Sequence, residues 1–247
     1  MFPVISIGPL SFPAPGLIML AGVWIGLIVA ERFALHFKAS PNQIYNLVFI
    51  MLITWVVGAR LSYITQYFEA FIQSPSSIFS LNPGLLDPVG GAAVAFIAGI
   101  VYIYRKQIPI RIALDALTPF LAVIWIAIGL SNLASGRAFG METQLPWGID
   151  LWGAQRYPTQ IFQMLAGLII LGLVWPRERI DSPVSRVPGE TFWLFLVLSA
   201  LAWIIIEAFR GDSTLLAGGI RTAQIIAWFV LALSLWGWGR VKKKSFV

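Results

Sequence analysis

Five arginines, one glutamate and two amides stand in or at the ends of apolar stretches of this chain. They are Arg60 in VVGARLSYI, Arg137 in GLSNLASGRAFG, Arg156 in RYPTQ, Arg210 closing IIIEAFR, Arg221 in GGIRTAQ, Glu207, Asn132 and Gln160. Ionisable groups at membrane depth are costly, so each is a functional candidate by default. A guanidinium presents a planar fork that matches phosphate oxygens. Several of them at one depth suit an anion-binding cavity for the phosphodiester of a phospholipid headgroup. A plainer arrangement is also open. Glu207 and Arg210 are three residues apart, share a helix face and can pair at a helix end. Asn132 and Gln160 can hydrogen-bond between helices. Pro158, between Tyr157 and Thr159, suits the first turn of a helix.

The chain that must position these residues is overwhelmingly apolar. Of its 247 residues, 58% are hydrophobic and 11% charged, with a mean hydropathy of +0.82. Soluble domains carry about 25% charged residues. Too little polar surface is available to cover this chain in water, which points to an integral membrane protein. The net charge of +6 is no nucleic-acid signal in such a chain; the distribution of Lys and Arg between loops carries the information. Cysteine is absent, which excludes disulfides, a thiol nucleophile and a Cys metal site. The single histidine, His36, excludes a His-rich metal cluster. No metal and no cofactor is implied. The first fifteen residues lack the basic start of a cleavable signal, and the apolar run that follows is long.

Seven apolar runs come near the roughly 20 residues that span a bilayer. They cover about 16–35, 43–66, 89–104, 112–133, 159–175, 191–209 and 220–239. They lack the period-2 alternation of a barrel, so helices are the expected spanning form. The fold class expected is an all-α membrane protein of seven transmembrane helices in a single domain, 1–247. One set of connections collects Arg32, Lys38, Arg105, Lys106, Arg111, Arg177, Arg179, Arg186, Arg240 and Lys242 to Lys244. The other set holds Arg137, Arg156, Arg210 and Arg221. The positive-inside rule then places the N-terminus outside and the C-terminus in the cytoplasm. RVKKK near the C-terminus reads as a membrane-surface anchor. The two long outer loops, about 67–88 and 134–158, have the length of functional loops. The first carries Glu69 and Asp87 and no cation; the second carries Trp147 and Trp152, which suit the headgroup interface.

Taken in order, these residues resemble the prolipoprotein diacylglyceryl transferase family over nearly the whole chain. The likeness runs through ISIGPL, GLIMLAGV, GARLSYI, DPVGGAAVA, GLSNLASGRAFG, RYPTQIFQ, IIIEAFR and GGIRTAQIIAW. The resemblance implies a diacylglyceryl transferase-like bundle in the bacterial inner membrane. It implies a diacylglyceryl group moved from phosphatidylglycerol to the thiol of a lipobox cysteine, with release of glycerol phosphate. The cysteine would belong to the prolipoprotein substrate. By this resemblance Glu207, Arg210 and Asn132 are the catalytic candidates. Arg60, Tyr63, Arg137, Gly140, Arg156 and Gln160 are the substrate-binding candidates. The partners implied are phosphatidylglycerol or another anionic phospholipid, a prolipoprotein and the membrane, with no nucleic acid.

The chain departs from the family pattern at five positions. Val89 stands where the family has histidine before the glycine pair. Gly129 and Trp203 stand where it has arginine, Arg137 where it has glutamate, and Pro15 where it has tyrosine. The reaction needs a thiolate nucleophile and a stabilised phosphate leaving group, so these positions bear on catalysis. They leave a second reading open, a non-catalytic relative that binds phospholipid or serves as a subunit of a membrane complex. A transporter is the weakest alternative, because no helix pair carries a broken, repeated pattern.

Overall fold

The computed structural model describes residues 4–7, 10–80, 83–175, 187–216 and 219–243. A hairpin of β1 (Val4–Ile7) and β2 (Leu10–Pro13) leads directly into α1 (Ala14–Ala34). Then follow α2 (Pro41–Gln66), the short α3 (Phe68–Gln73), α4 (Pro88–Arg105) and α5 (Ile110–Ser135). A second hairpin, β3 (Ile149–Leu151) and β4 (Ala154–Arg156), precedes α6 (Thr159–Val174), α7 (Glu190–Phe209) and α8 (Thr222–Lys243). The helix bounds follow the seven apolar runs closely. Prolines explain two of the starts: Pro41 and Pro88 each stand at the first helical position, where a missing N–H is harmless.

Among the described residues, six of the eight α-helices are long and apolar enough to cross a membrane, the exceptions being α6 with 16 residues and the six-residue α3. Trp24, Phe96, Ile169 and Phe229 are exposed, as side chains facing lipid would be. The protein is a multi-pass membrane protein. Arg177, Arg179, Arg186 and Lys244, four of the cations that set the expected orientation, lie outside the described residues.

Two halves make the bundle. α2 packs on α4 and α1; α5 packs on α1, α6 and α7; α8 packs on α7. α5 is the central helix, since half of its span is buried by protein against a third or less for the other five. A core of Ala30, Ala34, Ile44, Leu47, Ala113 and Ala116 closes the end where α1 turns into α2 and α4 into α5. There the buried Asp115 of α5 accepts hydrogen bonds from the backbone N–H groups of Gly189 (2.6 Å) and Phe192 (2.9 Å). The two carboxyl oxygens thereby satisfy two of the donors at the start of α7. At the opposite end α2, α5 and α7 finish and α4, α6 and α8 begin, and the two long connections fold over that end.

The connection from α2 to α4 is ordered by charge. Asp87 caps α4, its carboxylate accepting from the N–H of Val89 (3.1 Å) and of Gly90 (3.0 Å). Ser62 on α2 donates to the same carboxylate at 2.6 Å, and Gln66 at 2.9 Å. The Ser62 hydroxyl, helped by the Gly90 and Val89 amides and Gln66, holds the Asp87 carboxyl below the usual carboxylate range. Arg60 donates from all three guanidinium nitrogens to carbonyls of this connection, those of Ser77, Ile78 (3.1 Å) and Leu85 (3.1 Å).

Candidate functional site

α5 ends at Ser135 because Gly136 adopts φ 73°, a left-handed conformation that closes helices. The next residue, Arg137, donates its backbone N–H to the Asn132 carbonyl at 3.1 Å. Its own carbonyl accepts from Gln160 Nε2 on α6 at 2.9 Å. Ala138 is again left-handed, φ 53°, and its carbonyl accepts from the buried Thr159 hydroxyl at 2.6 Å. The polypeptide around Arg137 is therefore fixed to both α5 and α6. Pro158 lies one residue before α6 rather than inside its first turn; its carbonyl accepts from the N–H groups of Ile161 and Phe162.

Beyond Ala138 the chain runs extended between two partners. Met141 donates to the Phe209 carbonyl and Gly211 to the Phe139 carbonyl, both at 2.8 Å. On its other edge, Tyr157 donates to the Met141 carbonyl and Thr143 to the Gln155 carbonyl. Residues 139–143 thus join the β3–β4 hairpin to the end of α7. Gly140 sits at the tightest point: a Cβ there would lie 2.3 Å from the Tyr157 carbonyl oxygen and 2.6 Å from Tyr157 Cβ. Only glycine lets the backbones approach this closely.

The end of α7 carries the buried charge. Glu207 is 2% exposed, and its carboxylate accepts from Arg210 Nη1 at 3.3 Å and from the Ser213 hydroxyl. Arg210 also pairs with Asp212 at 2.9 Å. Arg221, opening α8, donates to the carbonyls of Glu207 and Arg210 and to Ser213 Oγ (3.4 Å). A buried carboxylate needs such compensation, because desolvating an unpaired charge is very unfavourable. The pairing expected for Glu207 and Arg210 is present, but Arg210 lies one residue beyond α7 in extended backbone, bridged to Gly140, rather than on the same helix face. Arg156 donates to the carbonyls of Leu151 (3.1 Å) and Gly140 (3.4 Å) and pairs with Glu142 at 3.1 Å.

Asn132, Arg137, Gly140, Arg156, Gln160, Glu207 and Arg210 are therefore joined by one continuous set of bonds at the end of α5, α6 and α7. Arg60 and Tyr63 are not part of that set. Arg60 holds the α2–α4 connection, and the Tyr63 ring lies against Tyr67 (4.6 Å between centroids) and Phe71 (6.2 Å). Ser213, woven into the cluster through Glu207, escapes sequence reasoning, because a hydroxyl in a loop carries no periodic signal; Thr159 stands out beside Pro158, but its bond to the Ala138 carbonyl does not. Arg221 is visible as a charge, but its role as a staple across three carbonyl and hydroxyl oxygens depends on the fold. Trp152 is exposed and donates its indole N–H to the Gly136 carbonyl at 2.9 Å.

The family profile described as prolipoprotein diacylglyceryl transferase matches residues 3–240. The chain belongs to the prolipoprotein diacylglyceryl transferase family. Among relatives named phosphatidylglycerol–prolipoprotein diacylglyceryl transferase, the one from Synechococcus elongatus is 29% identical, covering 95% of this chain and 85% of its own. The relative from Nostoc is 26% identical, covering 98% and 90%. That from Desulfotalea psychrophila is 28% identical, covering 98% and 94%.

The positions where the chain departs from the family pattern have distinct surroundings. Val89 is 76% exposed at the start of α4. Gly129 faces α6, where a Cβ would lie 2.9 Å from Met164 Cγ and 3.1 Å from the Gln160 carbonyl oxygen. An arginine has no room in that contact. Trp203 meets Trp125 of α5 edge-on at 5.2 Å. The Pro15 carbonyl accepts from the Ser131 hydroxyl at 3.2 Å, tying the start of α1 to the end of α5.

Proposed function

We propose that the protein is a phosphatidylglycerol-dependent diacylglyceryl transferase acting on lipobox cysteines at the outer face of the bacterial inner membrane. The observation that carries this reading is the convergence of Asn132, Arg137, Gly140, Gln160, Glu207 and Arg210 at one end of three neighbouring helices. The names of its relatives supply the substrates, phosphatidylglycerol and a prolipoprotein. The whole chain forms one membrane domain of seven spans, α6 included, with its N-terminus outside and its C-terminus in the cytoplasm. The cation distribution supports that orientation, and it puts the convergent residues at headgroup depth.

The chemistry asks three things of the site. The thiolate sulfur forms a bond to the glyceryl carbon while that carbon's bond to the phosphate oxygen breaks. The thiol proton ends on the released phosphate, so glycerol phosphate leaves as its monohydrogen anion and the charge is conserved. A fixed cation and fixed amides stabilise that charge without reorganising during the reaction. Arg137 and Asn132 face the headgroup, Gln160 holds Arg137 in place, and Arg156 and Gly140 shape the loop above. Glu207 holds Arg210 and the turn that follows. Arg60 and Tyr63 order the rim formed by the α2–α4 connection. An apolar groove of about 390 Å³ runs between α6 and α7, from Phe162 and Ile206 beside the cluster down to Leu173 and Leu198. Its lining suits an acyl chain.

A second reading has one observation in its favour: Val89, at the family's histidine position, is exposed and cannot exchange a proton, and His36 stands at the opposite end of α1. On that reading the protein is a non-catalytic relative with a protein partner. Labelled phosphatidylglycerol and a lipobox peptide decide between the two. Label in thioether linkage to the peptide, with glycerol phosphate released, is the outcome expected. No label on the peptide, together with a stoichiometric partner co-purified from gently solubilised membranes, establishes the second reading.

A further inference from the structure

Counting the guanidinium donors sorts the five arginines into two kinds. Arg60 donates to three loop carbonyls. Arg156 donates to two carbonyls and the Glu142 carboxylate. Arg210 is held by two carboxylates, Glu207 and Asp212. Arg221 donates to two carbonyls, a hydroxyl and the Met141 sulfur. These four are staples, and their charge is committed to the protein. Arg137 differs: its side chain is exposed and bonds nothing among the described residues. Yet its backbone is fixed, bonded through both N–H and carbonyl and flanked by left-handed Gly136 and Ala138.

Two neighbouring amides are also uncommitted. The Asn132 side chain, one turn before Gly136, bonds nothing among the described residues. Gln160 is fully buried; its Nε2 holds the Arg137 carbonyl, while its Oε1 is an acceptor with no partner among the described residues. The carbonyl fixes which end of this amide is which. A buried acceptor left unpaired is unfavourable and calls for a donor, from water or from a ligand. A free cation whose backbone N–H is held by the Asn132 carbonyl, and whose carbonyl is held by an amide with an orphaned acceptor, describes a site for a phosphate that carries a hydroxylated group.

We infer that Arg137 is the phosphate anchor of this protein, and that the other four arginines contribute structure rather than ligand contact. The inference depends on the proposed transfer reaction only for the phosphate's carrier, a lipid headgroup or free glycerol phosphate. The test uses the full-length protein in detergent, as wild type, Arg137→Gln and Arg137→Lys. Binding is measured to phosphatidylglycerol in mixed micelles and to free glycerol phosphate, with diacylglycerol micelles as the phosphate-free reference.

Arg137→Gln should weaken phosphatidylglycerol binding about tenfold or more, as loss of a charge-assisted bond implies. Its Tm should match that of the wild type, and diacylglycerol binding should not change. Arg137→Lys should recover part of the loss, because a point charge lacks the planar fork. Arg156→Gln should instead lower the Tm. Displacement by free glycerol phosphate at similar affinity would name the soluble phosphate as the carrier, on the same anchor. A folded Arg137→Gln that binds both phosphates as tightly as the wild type overturns the assignment. A wild type that binds through Arg137 but transfers nothing to a lipobox thiol overturns the transfer reading and leaves the anchor standing.

Discussion

The two ends of long helices that carry arginines on this face are built on opposite principles. At the end of α2, Arg60 finds its partners in the α2–α4 connection and Asp87 finds its own on the two helices that flank it, and the result is a closed, self-sufficient rim. At the end of α5 and α7, polar and charged groups from three helices and the segments between them share partners, and among the described residues the network is left incomplete at Arg137, Asn132 and Gln160. The first arrangement orders a loop. The second holds a carboxylate at 2% exposure and still leaves polar groups unpaired, a state that a protein tolerates where a ligand completes the set. Arginine count alone is thus a poor guide to anion binding; what matters is which guanidinium groups remain uncommitted.

The sharpest way to break this contrast is to remove Glu207. Glu207→Ala leaves Arg210 half-compensated and strips Ser213 of its acceptor. Breaking a buried ion pair by removing one partner costs about 3–5 kcal/mol, and thermal unfolding in detergent should show a loss of that order. Transfer activity should vanish with it. Glu207→Gln keeps the shape and one acceptor oxygen and should lose less.

Gly140 and Gly90 compare the two ends by steric means. Gly140→Ala drives a methyl into the Tyr157 backbone, which has no free space to retreat. Gly90→Ala places its methyl 2.2 Å from Ser62 Cβ and Oγ and 2.8 Å from Asp87 Oδ2. Overpacking of this kind costs about 1–3 kcal/mol. Both variants should lower the Tm, but only Gly140→Ala should also raise the KM for phosphatidylglycerol, because it moves the segment that leads from Arg137 to Arg210. Equal effects on KM would erase the distinction between rim and site. Arg60→Gln comes next in size. It should speed proteolysis within 74–87, where three carbonyl partners are lost, and should leave phosphatidylglycerol affinity within about twofold, less than the loss of one hydrogen bond of average strength.

Much of the fold is legible in the sequence because hydropathy alone delimits the helices: the run at 112–133 becomes Ile110–Ser135, and that at 191–209 becomes Glu190–Phe209. Both hairpins are missed. β1 to β4 are only three or four residues each, too short for alternation to register. At the site, residue types and order brought Asn132, Gln160, Glu207 and Arg210 into view, since polar groups stand out in apolar surroundings. Their division of labour was not legible. Arg60, Arg156 and Arg137 look alike in a one-dimensional chain, and only the carbonyls around each guanidinium, set by loop geometry, tell a staple from a free cation.

Asp87 offers the smallest effect and a test of direction. Its carboxyl is held below the usual range, chiefly by the Ser62 hydroxyl. A carboxyl whose folded pKa is depressed binds fewer protons folded than unfolded, so it adds stability above the unfolded value and loses that contribution as pH falls through the folded one. Asp87→Ala should therefore be less stable than wild type at neutral pH. The gap should narrow on acidification below the ordinary carboxylate range, and Ser62→Ala should shrink it at every pH. Stability curves of the three proteins between neutral and strongly acidic pH provide the measurement. The effect should be confined to the rim: phosphatidylglycerol binding at neutral pH should be the same in Asp87→Ala as in wild type. A loss of binding would mean that the cap of α4 reaches the phosphate site, and that the two ends act as one.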